Sequence, residues 1–232
     1  MLAVAPVDGV GLVRRLLRAA LAKSADVPAQ LHPAWVQMAW QRAGIAAPPA
    51  EAAPGWSAAL AAVYGLQWTS LVRFRQVAHR IALLPRDELL RVLAAVALHL
   101  ERDRVRHSIG RGLRATMIER VGDVAYAGIV AAACDRAGGA KGPLAMADLQ
   151  PEALAARGYA ALRDHGHWRN DSIAAWVRLA LAPAPSRAAP ASEGAQATDT
   201  ASALQRLSLY FPEHAWLFGS PMDRALSAST TA

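Results

Sequence analysis

PRDELLRVLAAVALHLERDRVRHSIGRGLRATMIERVG, residues 85–122, is the stretch whose reading decides the fold. Proline suits a first helical turn, where its missing N–H has no helical partner, so Pro85 can open a helix; Asp87 and Glu88 then suit the positive end of the helix dipole. Leu89, Val92, Val96 and Leu100 recur at helical spacing and predict a helix from Pro85 to about Leu100. The same spacing continues through Val105, Ile109, Leu113 and Met117 to Val121. Gly110 and Gly112 can bend or interrupt it, and Gly122 can stop it. Two helices or one bent helix both satisfy the pattern.

Toward the C-terminus, Asp123 can cap a further helix reaching Arg136, and AGGAKGP (residues 137–143) breaks it. Another helical region starts at Asp148-Leu149-Gln150-Pro151-Glu152 and runs to about Arg163. Between Trp168 and Leu181, Ile173, Trp176, Val177 and Ala180 mark a core helix with Asp171 or Ser172 near its start. Residues 182–203 turn to Ala, Pro, Ser, Thr, Gly and Glu and read as a flexible Ala/Pro-rich linker, because such residues bury too little to offset the entropy of ordering. An apolar segment follows, LQRLSLYFPEHAWLFGSPMDRAL (residues 204–226). Its Leu204, Leu207, Tyr210, Phe211, Trp216, Leu217 and Phe218 must dock somewhere.

Toward the N-terminus, Trp56 to Leu84 is apolar and aromatic with interspersed arginines, fitting one or two helices hinged near Gly65. Trp56, Tyr64, Trp68 and Phe74 are expected to be core anchors. Residues 46–55 form a loop, since Pro48, Pro49 and Pro54 remove donors and restrict their predecessors. A short helix follows His32-Pro33 and stops near Gly44. In residues 10–23 a stripe of Val10, Val13, Leu17 and Leu21, with Arg14, Arg15 and Arg18 beside it, predicts an amphipathic helix packed by its apolar side. Strand signals are weak throughout. The expected fold is all-α: a compact multi-helix domain over residues 1–181, a linker over 182–203, and an apolar C-terminal docking segment and tail over 204–232.

A chain of 232 residues can bury a true core without staples, and its single cysteine, Cys134, excludes an internal disulfide framework. The sequence MLAVAPVDGVGLVRRLL has no basic region ahead of its apolar residues, so no export signal is read. The cleanest apolar run, Val124 to Cys134, falls far short of the roughly 20 residues a membrane-spanning helix needs. Cytoplasm is therefore the expected compartment. The net charge of +7 comes almost wholly from arginine, since Lys23 and Lys141 are the only lysines. Arginine's planar fork suits phosphate and carboxylate alike, so charge alone does not name the partner.

No motif completes a catalytic, metal or nucleotide site. Asp164-His165-Gly166-His167, with Asp171 downstream, offers ligand types but no firm third and fourth partner. His99 and His107 lie eight residues apart, too far for one ion. Cys134 sits in an alanine-rich run where a buried thiol is expected rather than a nucleophile. The glycines of IGRGLR (residues 109–114) lack the spacing and ending of a phosphate loop. The spaced arginines from Arg102 to Arg120 could track phosphates, which makes an arginine-rich helical DNA-binding regulator the alternative reading. Pairing of Glu101 with Arg104, and of Asp103 with Arg106 or His107, argues for a solvated face or a protein interface instead.

Leu84-Pro85 together with VALHLERDRVRHSIGRGLRATMIERVG (residues 96–122) resembles the central helical region of the K-subunit family of type III secretion sorting platforms. The tail YFPEHAWLFGS (residues 210–220) is similar to the branch of that family found in plant-type injectisomes. The resemblance implies a non-catalytic cytoplasmic adaptor without cofactor or metal. Such an adaptor works at the cytoplasmic face of the bacterial inner membrane, joining the D-type subunit of the inner-membrane ring to the Q-type subunit of the pods. The L-type stator and the ATPase lie farther along, nucleic acid is not an expected partner, and membrane association comes only through partners. The interface residues to expect are Arg102, Arg106 and Arg111 on one face, and Tyr210, Phe211, Trp216 and Phe218 in the C-terminal segment.

Overall fold

A computed structural model describes residues 9–45, 55–67, 74, 76–133, 142–168, 170–183 and 197–219. Its α-helices are α1 (Gly9–Ala25), α2 (Val27–Gln30), α3 (Pro33–Arg42), α4 (Trp56–Val63), α5 (Val77–Ile81), α6 (Arg86–Leu100) and α7 (Arg102–His107). They continue with α8 (Arg111–Val121), α9 (Asp123–Ala131), α10 (Pro151–Asp164), α11 (Asp171–Ala180), α12 (Ala197–Tyr210) and α13 (Ala215–Phe218). Single 3₁₀ turns occupy Met146–Leu149 and Pro212–His214. No strand occurs among the described residues, so the fold is all-α as the sequence predicts. None of these helices is long and apolar enough to cross a membrane.

The stretch that decides the fold also builds its centre. Leu89 and every residue from Val92 to His99 are buried, so the later turns of α6 are enclosed on all sides. Helices α8, α9, α10, α11 and α12 pack around it. The tightest approach is that of α10, where a Cβ added to Gly158 would collide with the Leu93 carbonyl of α6. Gly110 interrupts the long pattern, so α7 and α8 are separate helices. Gly122, at φ 89°, then turns the chain directly from α8 into α9, a backbone region that side chains with a Cβ avoid.

Local pairings tie the first helices to the same body. The His32 N–H donates to Leu179 O (2.8 Å) and Trp35 Nε1–H to Leu181 O (2.9 Å), clamping α3 to the end of α11. Arg86, in the first turn of α6, donates to Ala180 O (3.0 Å) and pairs with Glu152 (3.1 Å) of α10. Asn170 caps α11 by accepting from Ile173 N–H (3.1 Å), and the helix starts at Asp171, one of the two residues expected near its start. Phe74 is buried and Trp56 and Tyr64 are half-buried, while Trp68 lies outside the described residues.

Four expectations need correction. Val10, Val13, Leu17 and Leu21 face outward, and the inward side of α1 is Leu16, Ala20 and Lys23. Two stripes compete on this helix, and the second also has apolar members at helical spacing. Ile109, expected in the apolar series, is 92% exposed because the chain leaves helical geometry at Ser108. Helix α9 ends at Ala131, not Arg136. The carbonyls released there are taken by arginines of α7: Arg102 donates to Ala133 O and Arg106 to Val130 O and Ala132 O. Finally, α12 begins at Ala197, inside the stretch read as linker, and buries Thr200 and Ala203 against the body. Cys134, residues 184–196 and residues 220–232 lie outside the described residues.

Candidate binding surface

Arginine is the natural place to look for a surface, and most of the α7 arginines turn inward. The Arg102 side chain is only 7% exposed. Its guanidinium donates to Ala133 O (2.9 Å) and His99 O (3.2 Å) and pairs with Asp199 of α12 (3.4 Å). Arg106 holds the end of α9 and lies 3.8 Å from Asp103. Arg104 pairs with Glu101 (2.8 Å) and Asp148 (3.3 Å). Arg157 closes that network from α10 through Glu101 (2.9 Å) and the Asp148 carbonyl. The Ala145 N–H, Arg157 and Arg104 together hold the Asp148 carboxyl below its usual range. The predicted pairs of Glu101 with Arg104 and Asp103 with Arg106 both form; His107 Nδ1 meets the carbonyl of Asp103 rather than its carboxylate.

The aromatic candidates are also interior. Tyr210, Phe211 and Phe218 are at most 2% exposed, and Trp216 is half-buried. Tyr210 packs the edge of its ring against Gly128 of α9, where a Cβ would come within 2.7 Å of it. Phe211 is covered by the Arg91 guanidinium, 5.2 Å from the ring centre. Arg15 of α1 covers Trp216 in the same way at 6.0 Å. The C-terminal segment thus docks on its own body, through α12 on α6 and α9 and α13 on α5. In this conformation Arg102, Tyr210, Phe211 and Phe218 have almost no surface to offer.

Behind these residues lies a buried titrating pair. The Tyr210 hydroxyl is 2.7 Å from His99 Nδ1. Burial, then the charges of Arg102 and Arg206, push His99 down to about 4, and burial pushes Tyr210 up to about 12. Between about pH 6.5 and 4 the unfolded chain therefore takes up a proton at His99 that the folded chain refuses. Stability from this group is complete above pH 6.5 and falls as pH drops toward 4. Chemical denaturation across that range should show the wild type losing more stability than His99→Gln, and parallel slopes would remove His99 as the cause.

Ile109 stands out beside the exposed Arg111 at the corner between α7 and α8. That corner is fixed from behind by Ser108 Oγ, which accepts from Leu144 N–H (2.8 Å) and donates to Arg104 O (2.7 Å). Helix α1 contributes the four exposed apolar residues already described, and Val63, Val124, Met146 and Leu209 are exposed elsewhere. A cleft of about 450 Å³ between α1 and α13 is lined in part by Lys23, Glu88, Glu213 and His214. Its charges are engaged, Glu88 with His214 (3.0 Å), Glu213 with Arg91 (3.4 Å), and Lys23 with Leu84 O (2.5 Å). Burial lowers Lys23 to about 7. Asp164 pairs with Arg163 and His167 with Thr200, and no group of three metal-ligating side chains occurs among the described residues.

Sequence reasoning missed Ile109 and the α1 stripe because both lie in apolar series that also fit a core. The signal that could have exposed Ile109 was its position directly before Gly110, where a helix face is lost. Comparison with curated proteins and with solved structures gives no match. The model of the family described as bacterial type III secretion protein (HrpB4) matches residues 13–213, a span that includes the central helix, the arginine corner and the C-terminal helices up to Glu213. The chain belongs to that family of type III secretion proteins.

Proposed function

We propose that this chain is a non-catalytic cytoplasmic adaptor of the type III protein secretion apparatus, linking the inner-membrane ring to the sorting-platform pods. Its partners on this reading are the cytoplasmic domain of the D-type ring subunit and the Q-type pod subunit, with the L-type stator and the ATPase reached through the pods. It works at the cytoplasmic face of the inner membrane and touches the membrane only through those partners.

The observation that carries the reading is the α7–α8 corner. An exposed isoleucine beside an exposed arginine, on a corner braced by Ser108 and Arg104, has the chemistry of a protein contact: an apolar anchor with a planar cation at its edge. Arg102 supports the corner from within, and the exposed Arg106 ties it to the end of α9. The same internal pairing weakens the DNA-binding alternative, since Arg102, Arg104, Arg106 and Arg157 already face carboxylates or carbonyls of the chain.

Ile109→Ser combined with Arg111→Glu should leave the melt within about 0.5 kcal/mol of wild type, as expected for exposed positions. Capture of the purified D-type cytoplasmic domain should weaken at least tenfold. Undiminished capture would remove the corner from the interface, and salt-sensitive retention on DNA without capture would favour the regulator.

A further inference from the structure

We infer that the outward strip of α1 is a docking site for an acidic amphipathic helix of another protein. The inference names a partner chemistry for the adaptor and rests on that reading. Val10, Val13, Leu17 and Leu21 are 71%, 43%, 43% and 68% exposed, and their spacing of three, four and four residues draws one line along the helix. The line spans about three turns, roughly 16 Å. Apolar residues aligned in this way are a contact surface, not the scattered singles of an ordinary exterior.

The edges of the strip define what fits. On one side Arg14 and Arg18 are exposed, one turn apart, and the whole of α1 carries no acidic residue. On the other side the helix descends into the body through Leu16, Ala20 and Lys23. The Lys23 Nζ donates to Leu84 O and lies over the Trp176 ring at 5.9 Å, while Arg15 lies over Trp216. The strip is thus held by its reverse face and bounded by cations along one edge only. A helix laid along it meets apolar side chains in the middle and guanidinium groups on one flank, so it needs an apolar seam with Asp or Glu beside it.

Two other occupants fit less well. An antiparallel second copy would set the Arg14 and Arg18 row against its own image, like charge facing like charge. A lipid surface is best met by an apolar face with cations on both flanks, and here one flank is the protein body.

Two labelled helical peptides of 18 residues test the inference against the full chain by fluorescence anisotropy. Both carry the same leucine seam; one has glutamates along its edge and the other lysines. The glutamate peptide should bind at least tenfold tighter than the lysine peptide. Leu17→Ser with Leu21→Ser should weaken it at least tenfold, with an unchanged melt. Arg14→Glu with Arg18→Glu should reverse the preference. Equal binding of both peptides, or none, overturns the inference. So does binding to phosphatidylglycerol vesicles through Leu17 and Leu21 without peptide discrimination, which makes the strip a membrane contact, or self-association lost in the same double variant, which makes it a homotypic one. Because the peptides need no secretion component, a failure here leaves the adaptor reading standing, and a failed capture of ring and pod proteins alongside peptide discrimination sinks the adaptor reading alone.

Discussion

Replacing Gly158 with valine is expected to remove most of the cooperative stability of this protein. Helices α6 and α10 meet backbone to backbone at this point, and even a methyl group at residue 158 would overlap the Leu93 carbonyl. No rotamer relieves a clash with backbone, so α10 must move away from α6. That shift loosens Leu154, Ala155 and Leu162 of α10 and the buried residues of α6 they pack against. Overpacking of this kind costs about 1–3 kcal/mol for small insertions and more when backbone must yield. Gly158→Ala should therefore lose about 3 kcal/mol, and Gly158→Val more than that, against a total of roughly 5–15 kcal/mol for a typical domain. Ala156→Val, on the exposed side of the same helix, serves as the control with a change of about 0.5 kcal/mol. Guanidinium unfolding followed by tryptophan fluorescence measures all three, and a wild-type midpoint for Gly158→Val would contradict the close approach.

Phe211→Ala should cost about 3–5 kcal/mol, the usual range for removing a fully buried phenylalanine. The ring is 1% exposed, sits at the end of α12, and carries the Arg91 guanidinium on its face. A surface anchor would behave otherwise, losing partner affinity with the melt intact. Thermal unfolding of the isolated variant separates the two, because only a core residue lowers the transition without any partner present. An unchanged transition would mean that the C-terminal segment is not seated on the body as described.

The contrast between these residues shows what sequence could reveal. Helix α6 was legible because Leu89, Val92, Val96 and Leu100 keep helical spacing while Asp87 and Glu88 mark its start. The need of the segment from Leu204 onward to dock was equally plain from its aromatics, but not that the docking site is the chain's own α5, α6 and α9. Helix α12 begins earlier than its composition suggests. Residues 197–203 are Ala, Thr, Asp and Ser, too weakly apolar to announce a buried helix, yet Thr200 and Ala203 are small enough to lie against neighbours.

The candidate surface was harder to read for a different physical reason. Charge along a sequence gives the number of arginines, not their destinations. Arg102 and Arg106 look like an exposed basic face until α9 ends and presents its free carbonyls to them. Of the three arginines expected at an interface, Arg102 is buried, Arg106 is exposed but bonded to the end of α9, and Arg111 is exposed. On α1 the ambiguity is geometric, since a helix with two apolar stripes does not specify which one faces in. The choice is made by Lys23 reaching Leu84 and Arg15 reaching Trp216, contacts between residues far apart in sequence.

Bridging is the property that separates an adaptor from a protein that merely binds. The direct measurement is size-exclusion chromatography of the purified D-type cytoplasmic domain and the Q-type pod subunit, with and without this chain. The adaptor reading predicts that the two elute separately alone and together in one ternary peak when the chain is added. Elution that is the same in its presence and absence would contradict it.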